Sequence, residues 1–460
     1  MKNIKVLVLV MTLVFSLFFG VLESFSLFWQ DLSSHYTDLF IYFVIIPVLK
    51  LDPNNEIFYQ WFEGFTDGEG CFKIKPKYIT GKSKVHSFSF EFEIHLHIDE
   101  KNLLNHICNS IGVGKVYLSE KSNSCRFVVG NEKGIRLLLD IFDKYKLNGI
   151  KYLDYVDFKK AFLLYFDRKG ALTDLLRAEI LLLYNSVNTS RNNFNMPSDH
   201  QVKITPYWLL GFLEGEGTFY LNREQIRPGF QILLTEAQLP LLVKIKEYLE
   251  NNLGFDHYSL WLIKNSSVMG VSQKKAVGKS KPTVTFDIRN LRILHNYFLP
   301  YLNKLNFLSK KSLDFADFKI ICRTAYNGGH KNGIIKDLLV KLSHSMNDFR
   351  LSNYNGKIPK QVITKNDINM LENALPLSEH LPDGRVRDTA TGNIDYNNES
   401  SVYHIIKPNN EELIVKSLKE AGETVGVHSA TLSKRLDVES PDFVAEIHHH
   451  FIKRIKVFYK

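Results

Sequence analysis

The stretch Phe62-Glu63-Gly64-Phe65-Thr66-Asp67-Gly68-Glu69-Gly70-Cys71-Phe72 returns in outline as Leu209-Leu210-Gly211-Phe212-Leu213-Glu214-Gly215-Glu216-Gly217-Thr218-Phe219. Both follow apolar–x–Gly–Phe–x–acid–Gly–Glu–Gly–x–Phe, and their last acids, Glu69 and Glu216, stand 147 residues apart. A fixed pattern repeated at that distance predicts two similar domains in one chain. Gly64 and Gly68 are four apart, as are Gly211 and Gly215, so each pair shares one face of a helix. Glycine inside a helix costs about 0.5–1 kcal/mol relative to alanine. Two on one face predict a backbone that something must approach closely. The simplest partner is the helix of the other copy, packed alongside about a pseudo-twofold axis.

Glu69 and Glu216 then fall at the C-terminal ends of the two helices. A carboxylate there faces the negative pole of the helix dipole, and two carboxylates brought together repel. Divalent cations between them explain the arrangement. Hard cations take carboxylate and carbonyl oxygens, and paired metals stabilise the attacking and leaving oxygens of a phosphodiester displacement.

Outward from the motifs, the pattern repeats. Ile57 to Asp67 has helical spacing, and Cys71 to Lys75 alternates as a strand does. In Phe88 to Ile98, Phe88, Phe90, Phe92, Ile94, Leu96 and Ile98 point one way and the polar residues the other, as in an antiparallel sheet with one solvated face. A helix over 102–111, strands over 114–117 and 125–129, and helices over 133–145 and 152–165 complete the first unit. The second unit runs helix (206–214), strands (218–221 and 230–234), helix (239–249), strand (283–288) and helices (291–301 and 310–322). The copies also end alike, with Lys151 aligned to Lys311 and Lys310 competing for that place. Two lysine-bearing insertions, 77–84 and 274–281, are expected as loops between strands.

The domain boundaries read from this pattern are a leader over 1–52, a first domain over 56–184, a linker over 185–201 and a second domain over 202–353. Residues 354–402 are polar and are expected to be a loosely ordered linker. A helix-turn-helix follows over 403–440, with a turn at Gly426 and a second helix capped at Ser429. Residues 441–460 are expected to be a tail.

The chain has 460 residues, an ordinary apolar fraction of 45%, and 58 Lys+Arg against 49 Asp+Glu, net +9. That composition excludes global disorder, and the basic balance suits a polyanionic partner. The four cysteines are scattered, without metal-ligand spacing or a disulfide framework, which fits a reducing compartment. Val6 to Leu22 is uncharged and just long enough for a membrane helix. A second apolar run, 39–49, is broken by Pro47.

The twin stretches resemble the motif of the LAGLIDADG homing endonucleases, in the double-motif, single-chain form. The resemblance covers about Ile57 to Asn353. It implies an α+β fold of two pseudo-symmetric αββαββα domains forming a DNA-binding saddle. The family motif ends Asp-x-Asp-Gly, whereas this chain has Asp67-x-Glu69 and Glu214-x-Glu216. Glutamate remains a competent oxygen ligand, so a site-specific, double-strand DNA endonuclease is the leading expectation.

The implied catalytic set is Glu69, Glu216, Lys151 and Lys311. The implied metal set is Glu69, Glu216 and the carbonyls of Gly68 and Gly215, holding two or three Mg²⁺ ions. Expected DNA contacts are Lys73, Lys75, His95 and His97 in one half, and Tyr220, Asn222, Arg223 and Gln231 in the other. The C-terminal helix-turn-helix resembles the NUMOD-type modules of homing endonucleases and would present Lys434 and Arg435. The expected partner is a double-stranded DNA target, bound by a monomer with internal pseudo-twofold symmetry. The rival reading is an RNA maturase that binds its host intron. The resemblance also implies a mitochondrial, intron-encoded origin, with residues 6–22 either a membrane contact or translated upstream exon.

Overall fold

The computed structural model describes residues 56–81, 83–278, 280–395 and 400–459. The apolar runs expected at 6–22 and 39–49 lie outside the described residues, among which no helix is long and apolar enough to cross a membrane.

The first motif stretch forms α1 (Glu56–Glu69), which passes directly into β1 (Gly70–Tyr78). There follow β2 (Val85–His97), α2 (Lys101–Ile111), β3 (Lys115–Ser119), β4 (Ser124–Val129), α3 (Glu132–Lys144), α4 (Lys151–Phe166) and α5 (Asp174–Tyr184). The antiparallel sheet has the order β1-β2-β4-β3. Its inner face is aromatic: Phe72, Phe90, Phe92 and Phe127 are buried against α1, α3 and α4. The alternation in β2 thus does what its pattern predicts, because a period of two sends every second side chain to the same face.

The second domain repeats the plan with α6 (Pro206–Glu216), β5 (Gly217–Asn222), β6 (Arg227–Thr235), α7 (Leu239–Asn252), α8 (His257–Lys264), β7 (Met269–Lys274) and β8 (Thr283–Ile288). A helical run over 291–302, containing a π-turn at Leu294–Phe298, leads to α9 (Lys311–Tyr326) and α10 (Gly333–Ser343). The sheet order is β5-β6-β8-β7, the same topology as in the first domain. Three elements of this domain went unread in the sequence: β7, α8 and α10. β7 is an edge strand, Met-Gly-Val-Ser-Gln-Lys, with too little alternation to signal itself. Helix α8 is short and is capped by Asp256, whose carboxylate accepts from Tyr258 N and Ser259 N.

The expected loose linker over 354–402 is instead built into the fold. α11 (Lys365–Glu372) opens with a capping box made by Thr364 and Asp367. Its Leu371 joins the core of the second domain. β9 (Ser378–His380) and β10 (Val386–Asp388) pair as a short hairpin. The segment looked unstructured because each piece contributes only one or two apolar residues (Leu371, Leu381 and Val386) to a surface made elsewhere.

The tail expectation for 441–460 also changes. β11 (Ser401–Ile406), β12 (Glu412–Val415), β13 (Val444–Ile447) and β14 (His450–Lys456) form one sheet, ordered β12-β11-β14-β13. The expected helix-turn-helix, α12 (Leu418–Val425) and α13 (Ser429–Arg435), packs on that sheet through Ala421, Val425, Leu432 and Leu436. Gly426 adopts the left-handed turn conformation, φ 73°. The cap of α13 is His428 rather than Ser429, since its ring accepts from Ala430 N. Val402, Val457 and Phe458 bury themselves in the second domain's core, so the module is welded to its neighbour.

Candidate functional site

Helices α1 and α6 lie side by side, and their glycines are what allow it. A Cβ on Gly64 would sit 1.9 Å from the carbonyl oxygen of Trp208, and one on Gly211 would sit 2.0 Å from that of Trp61. No side chain fits there, so the helical cost of glycine is offset by backbone contact between the copies. One turn later, the Glu69 methylene lies against Gly215 and that of Glu216 against Gly68, each 3.3–3.4 Å from where a Cβ would be. The expected pseudo-dyad is therefore present, and it places Glu69 and Glu216 together at the base of the two sheets.

The first acid of each motif does different work from the second. Asp67 accepts hydrogen bonds from Asn148 N (2.7 Å), Gly149 N (3.0 Å) and the indole of Trp208 (3.0 Å). Glu214 accepts from Leu308 N (2.9 Å), Ser309 N (2.5 Å) and the indole of Trp61 (3.0 Å). Each acid thus ties the turn before its own domain's lysine-bearing helix, α4 or α9, to a tryptophan of the opposite motif helix. Burial raises both carboxyl pKa values, that of Asp67 to about 6. The backbone donors work against that rise.

A second cross-brace joins the halves. Gln238 Oε1 accepts from Ile150 N (3.0 Å), and Glu100 accepts from Lys310 N (3.1 Å). Each lies after the second strand of its domain and caps the lysine-bearing helix of the other domain. Neither residue, nor either tryptophan, was signalled by the sequence, because their partners are remote backbone amides.

Glu69 and Glu216 are half-buried. Desolvation raises both carboxyls, and proximity to Glu69 helps push Glu216 to about 7. Two lysines oppose this. Lys151 Nζ donates to the Gly68 carbonyl (2.7 Å), and Lys311 Nζ donates to the Gly217 carbonyl (2.6 Å). The aligned lysines thus hold non-equivalent carbonyls. Lys310 is half-exposed and only 3.9 Å from Asp99, so Lys311 is the lysine directed at the motif. Burial lowers the Lys151 ammonium, and the acids around it, Asp67 and Glu216 first, counter that.

The donor set suits a hard divalent cation: two carboxylates that burial and mutual repulsion disfavour as anions, flanked by helix-end carbonyls of Gly68 and Gly215. Among the described residues no group of three or more His, Cys, Asp or Glu side chains forms a metal cage.

The solvated sheet faces differ between halves. In the first, Lys73 pairs with Glu93 (2.7 Å) and Lys75 with Glu91 (2.6 Å), both across β1 and β2, and Arg126 adds a contact to Glu93. His95 is exposed opposite Arg126. His97 is held within the protein: its Nδ1 accepts from Asp99 N, and its Nε2 donates to Asn353 Oδ1 (2.8 Å). In the second half, Tyr220, Asn222 and Gln231 share the solvated face. The Tyr220 ring lies over Gly229, where a Cβ would be 2.3 Å away. Arg223 turns from that face and donates to the Ser343 hydroxyl (2.8 Å). Lys434 and Arg435 are exposed on α13.

The linker over 185–201 begins with a clasp that its Asn/Ser-rich composition hid. Asn188 Nδ2 donates to the Phe72 carbonyl (2.7 Å), and Arg191 binds Asp154 (2.7 Å) and Asp157 (2.6 Å). Asn347 and Arg350 repeat this against Phe219, Asp314 and Asp317. Both asparagines have positive φ, 55° each. Ser-x-Asn-x-x-Arg at Ser186 and Ser345 was the available signal.

Comparison with known proteins agrees with this geometry. The LAGLIDADG endonuclease profile matches residues 62–162 and 209–322, one match per motif. A "Probable intron-encoded endonuclease Cox1-I1b" of Schizosaccharomyces pombe is 34% identical over 212 residues, 44% of this chain and 51% of that protein. An "Uncharacterized mitochondrial protein RF1" of Saccharomyces cerevisiae is 28% identical over 334 residues, 69% of this chain and 67% of that one. The match thus spans about half the length of the S. pombe relative. The crystal structure of the LAGLIDADG homing endonuclease I-GzeII with its DNA target shares the fold, with TM-score 0.52 and 22% identity over 64% of this chain and 99% of that one. With a pseudo-dyad of glycine-bearing helices and paired terminal acids, the two matched regions, residues 62–162 and 209–322, are a pair of LAGLIDADG endonuclease repeats.

Proposed function

We propose that the chain is a homing endonuclease that cuts both strands of a long DNA site and thereby promotes mobility of the intron encoding it. The observation that carries this reading is the Glu69/Glu216 pair, brought together by four glycines and flanked by Lys151 and Lys311. An RNA-binding role alone needs no such pair.

Glu69 and Glu216, with the Gly68 and Gly215 carbonyls, hold two or three Mg²⁺ ions in this reading. Bound cations supply Lewis-acid stabilisation of the attacking and leaving oxygens. A solved structure of the same fold, I-SmaMI, is described with uncleaved DNA in the presence of calcium ions, which supports a divalent-cation site. The chain's own contribution is to place one carboxylate per strand about the pseudo-dyad. Lys151 and Lys311 keep an ammonium beside each acid, where it can donate to a phosphate oxygen or a water. The buried caps Asp67 and Glu214 fix the helices that carry those lysines.

Lys73, Lys75, His95, Tyr220, Asn222 and Gln231 face the duplex in this reading. A β-ribbon admits its side chains to the major groove, where base edges are distinguishable. In the first half the ion pairs aim Lys73 and Lys75 before DNA arrives. Arg223 and His97, engaged within the protein, are left out of this set. Lys434 and Arg435, on the NUMOD-like module, contact DNA outside the saddle. The names of the fungal relatives support a mitochondrial setting.

The test begins with duplexes selected by binding from a randomised pool. Selected duplexes should be cut on both strands in Mg²⁺ and remain intact in EDTA. Binding to intron RNA with no cleavage of any selected duplex would replace this reading with the maturase.

A further inference from the structure

A cleft of about 870 Å³ lies away from the glutamate pair, at the outer end of the second domain's sheet. Its position follows from strand direction. β5 leaves the motif helix and runs outward, β6 returns, and β8 runs outward again. Residues 222–227 and 289–292 therefore mark the distal rim of the saddle. Tyr220, Asn222, Arg227, Arg289 and Arg292 line the cleft together with His380 of the β9–β10 hairpin. Tyr220 and Asn222 belong to the solvated saddle face, so saddle and cleft are one continuous surface.

The charge is positive. Arg289 is paired with Asp287 (2.7 Å) yet keeps a largely exposed side chain. Arg227 is exposed and has no ion pair among the described residues. Arg292 contacts His380 Nδ1 (3.5 Å). His380 Nε2 lies 2.9 Å from the Tyr326 carbonyl and so must be the donor, which leaves Nδ1 to accept from Arg292. The Tyr326 ring is stacked between His295 and His380, with centroids 4.1 and 4.0 Å away. Arg292 thus rests on a rigid aromatic stack. The lining acid, Asp395, lies 3.9 Å from Lys331 outside the cleft. At the rim of the first domain Gly130 stands where the second has Arg289, and Lys133 where it has Arg292.

We propose that this cleft is a second DNA contact, which takes backbone phosphates of the duplex flanking the saddle on the second domain's side. The proposal rests on the DNA-binding reading above. A duplex seated along the sheet leaves it over this rim. Planar, fully charged guanidinium groups match phosphate oxygens. The hairpin of the C-terminal extension supplies the wall that turns an open rim into a cleft, so the extension enlarges the footprint in one direction only.

The experiment compares a selected core duplex with the same duplex lengthened by 15 base pairs on one side, then on the other. For the unaltered protein, one extension but not the other should tighten binding, by about tenfold at low salt if two phosphates are neutralised. Arg227→Glu, an exposed change, should abolish that gain, read as the ratio of lengthened-duplex to core-duplex affinity within the variant. Arg292→Gln should reduce the gain. Equal affinity for all three duplexes in the unaltered protein, or an undiminished gain in Arg227→Glu, would overturn the proposal. Failure to bind even the core duplex would overturn the DNA-binding reading itself.

Discussion

The two halves of this molecule are nearly identical at the pseudo-dyad and differ increasingly away from it. At the centre, glycine meets carbonyl, tryptophan meets acid, and glutamate meets glutamate, each twice over. On the saddle, the first half carries Lys–Glu ion pairs across β1 and β2, whereas in the second Tyr220, Asn222 and Gln231 are joined by the Arg289–Asp287 pair at the end of β8. At the outer rim the second half carries an arginine-lined cleft and an attached module. The difference teaches which constraints are mutual. A residue packed against its own copy cannot change alone, whereas a residue facing a non-symmetric partner is free to diverge.

The largest effect should come from the most symmetric pair. Glu69→Gln and Glu216→Gln should each lower double-strand cleavage at least about a hundredfold, the scale of losing one preorganised charge-stabilising group. Both should leave binding of selected duplexes intact. Strand-resolved cleavage assays check this, and a variant that still cuts both strands at full rate would break the equivalence.

Next come the helix glycines. Gly64→Ala and Gly211→Ala each drive a Cβ into a carbonyl at 1.9–2.0 Å. Each should cost about 3 kcal/mol by the usual scale of overpacking, read by denaturant unfolding. Gly270→Ala, with nothing within 4 Å, should stay within about 0.5 kcal/mol as a surface change does. A marked inequality between Gly64 and Gly211 would show that the dyad is looser on one side.

The tryptophans should give a smaller, still paired effect. Trp61→Phe and Trp208→Phe keep most of the ring but remove one donor from Glu214 and Asp67 respectively. Each should destabilise by about 1–3 kcal/mol, the cost of leaving a buried acceptor under-satisfied, measured by thermal unfolding.

A pH-dependent effect separates the halves. Glu63 is buried in the first motif helix where the second has Leu210. Desolvation, with Asp67 nearby, raises its pKa from 4.5 to about 9. The folded protein therefore holds a proton that the unfolded chain releases near 4.5. Stability falls as pH rises through the window from about 4.5 to about 9, because the native state binds more protons there. Glu63→Gln should flatten this slope, checked by chemical unfolding at pH 6 and pH 8.5. An unchanged slope would mean that Glu63 ionises in the folded state.

Much of the centre was legible in the sequence. The glycines at four-residue spacing gave the close helix pair, and the acids at helix ends gave the juxtaposed carboxylates, because these are local patterns. β2 was legible because eleven residues alternate without interruption. What escaped notice was of two kinds. Short elements such as β7, β9, β10 and α11 carry too few apolar residues to show a period. Cross-braces such as Gln238 to Ile150 N and Glu100 to Lys310 N join a side chain to a backbone amide, which has no sequence signature. The clasp at Asn188 and Arg191 lies between these cases: its repeat at Asn347 and Arg350 was visible, yet the surrounding Asn and Ser made it look like linker.

By itself, then, the amino-acid sequence determined that the chain is doubled, that two glycine-bearing helices meet, and that Glu69 and Glu216 come together. Periodicity and repetition carry that information. Only the tertiary structure decided that Asp67 and Glu214 are caps bound to the opposite tryptophan and that Lys311 rather than Lys310 faces the motif. It also decided that Arg223 turns inward, and that the β9–β10 hairpin lines a cleft at the saddle's rim. Each of those depends on where remote segments lie in space, and contacts between remote segments are set by packing, not by spacing along the chain.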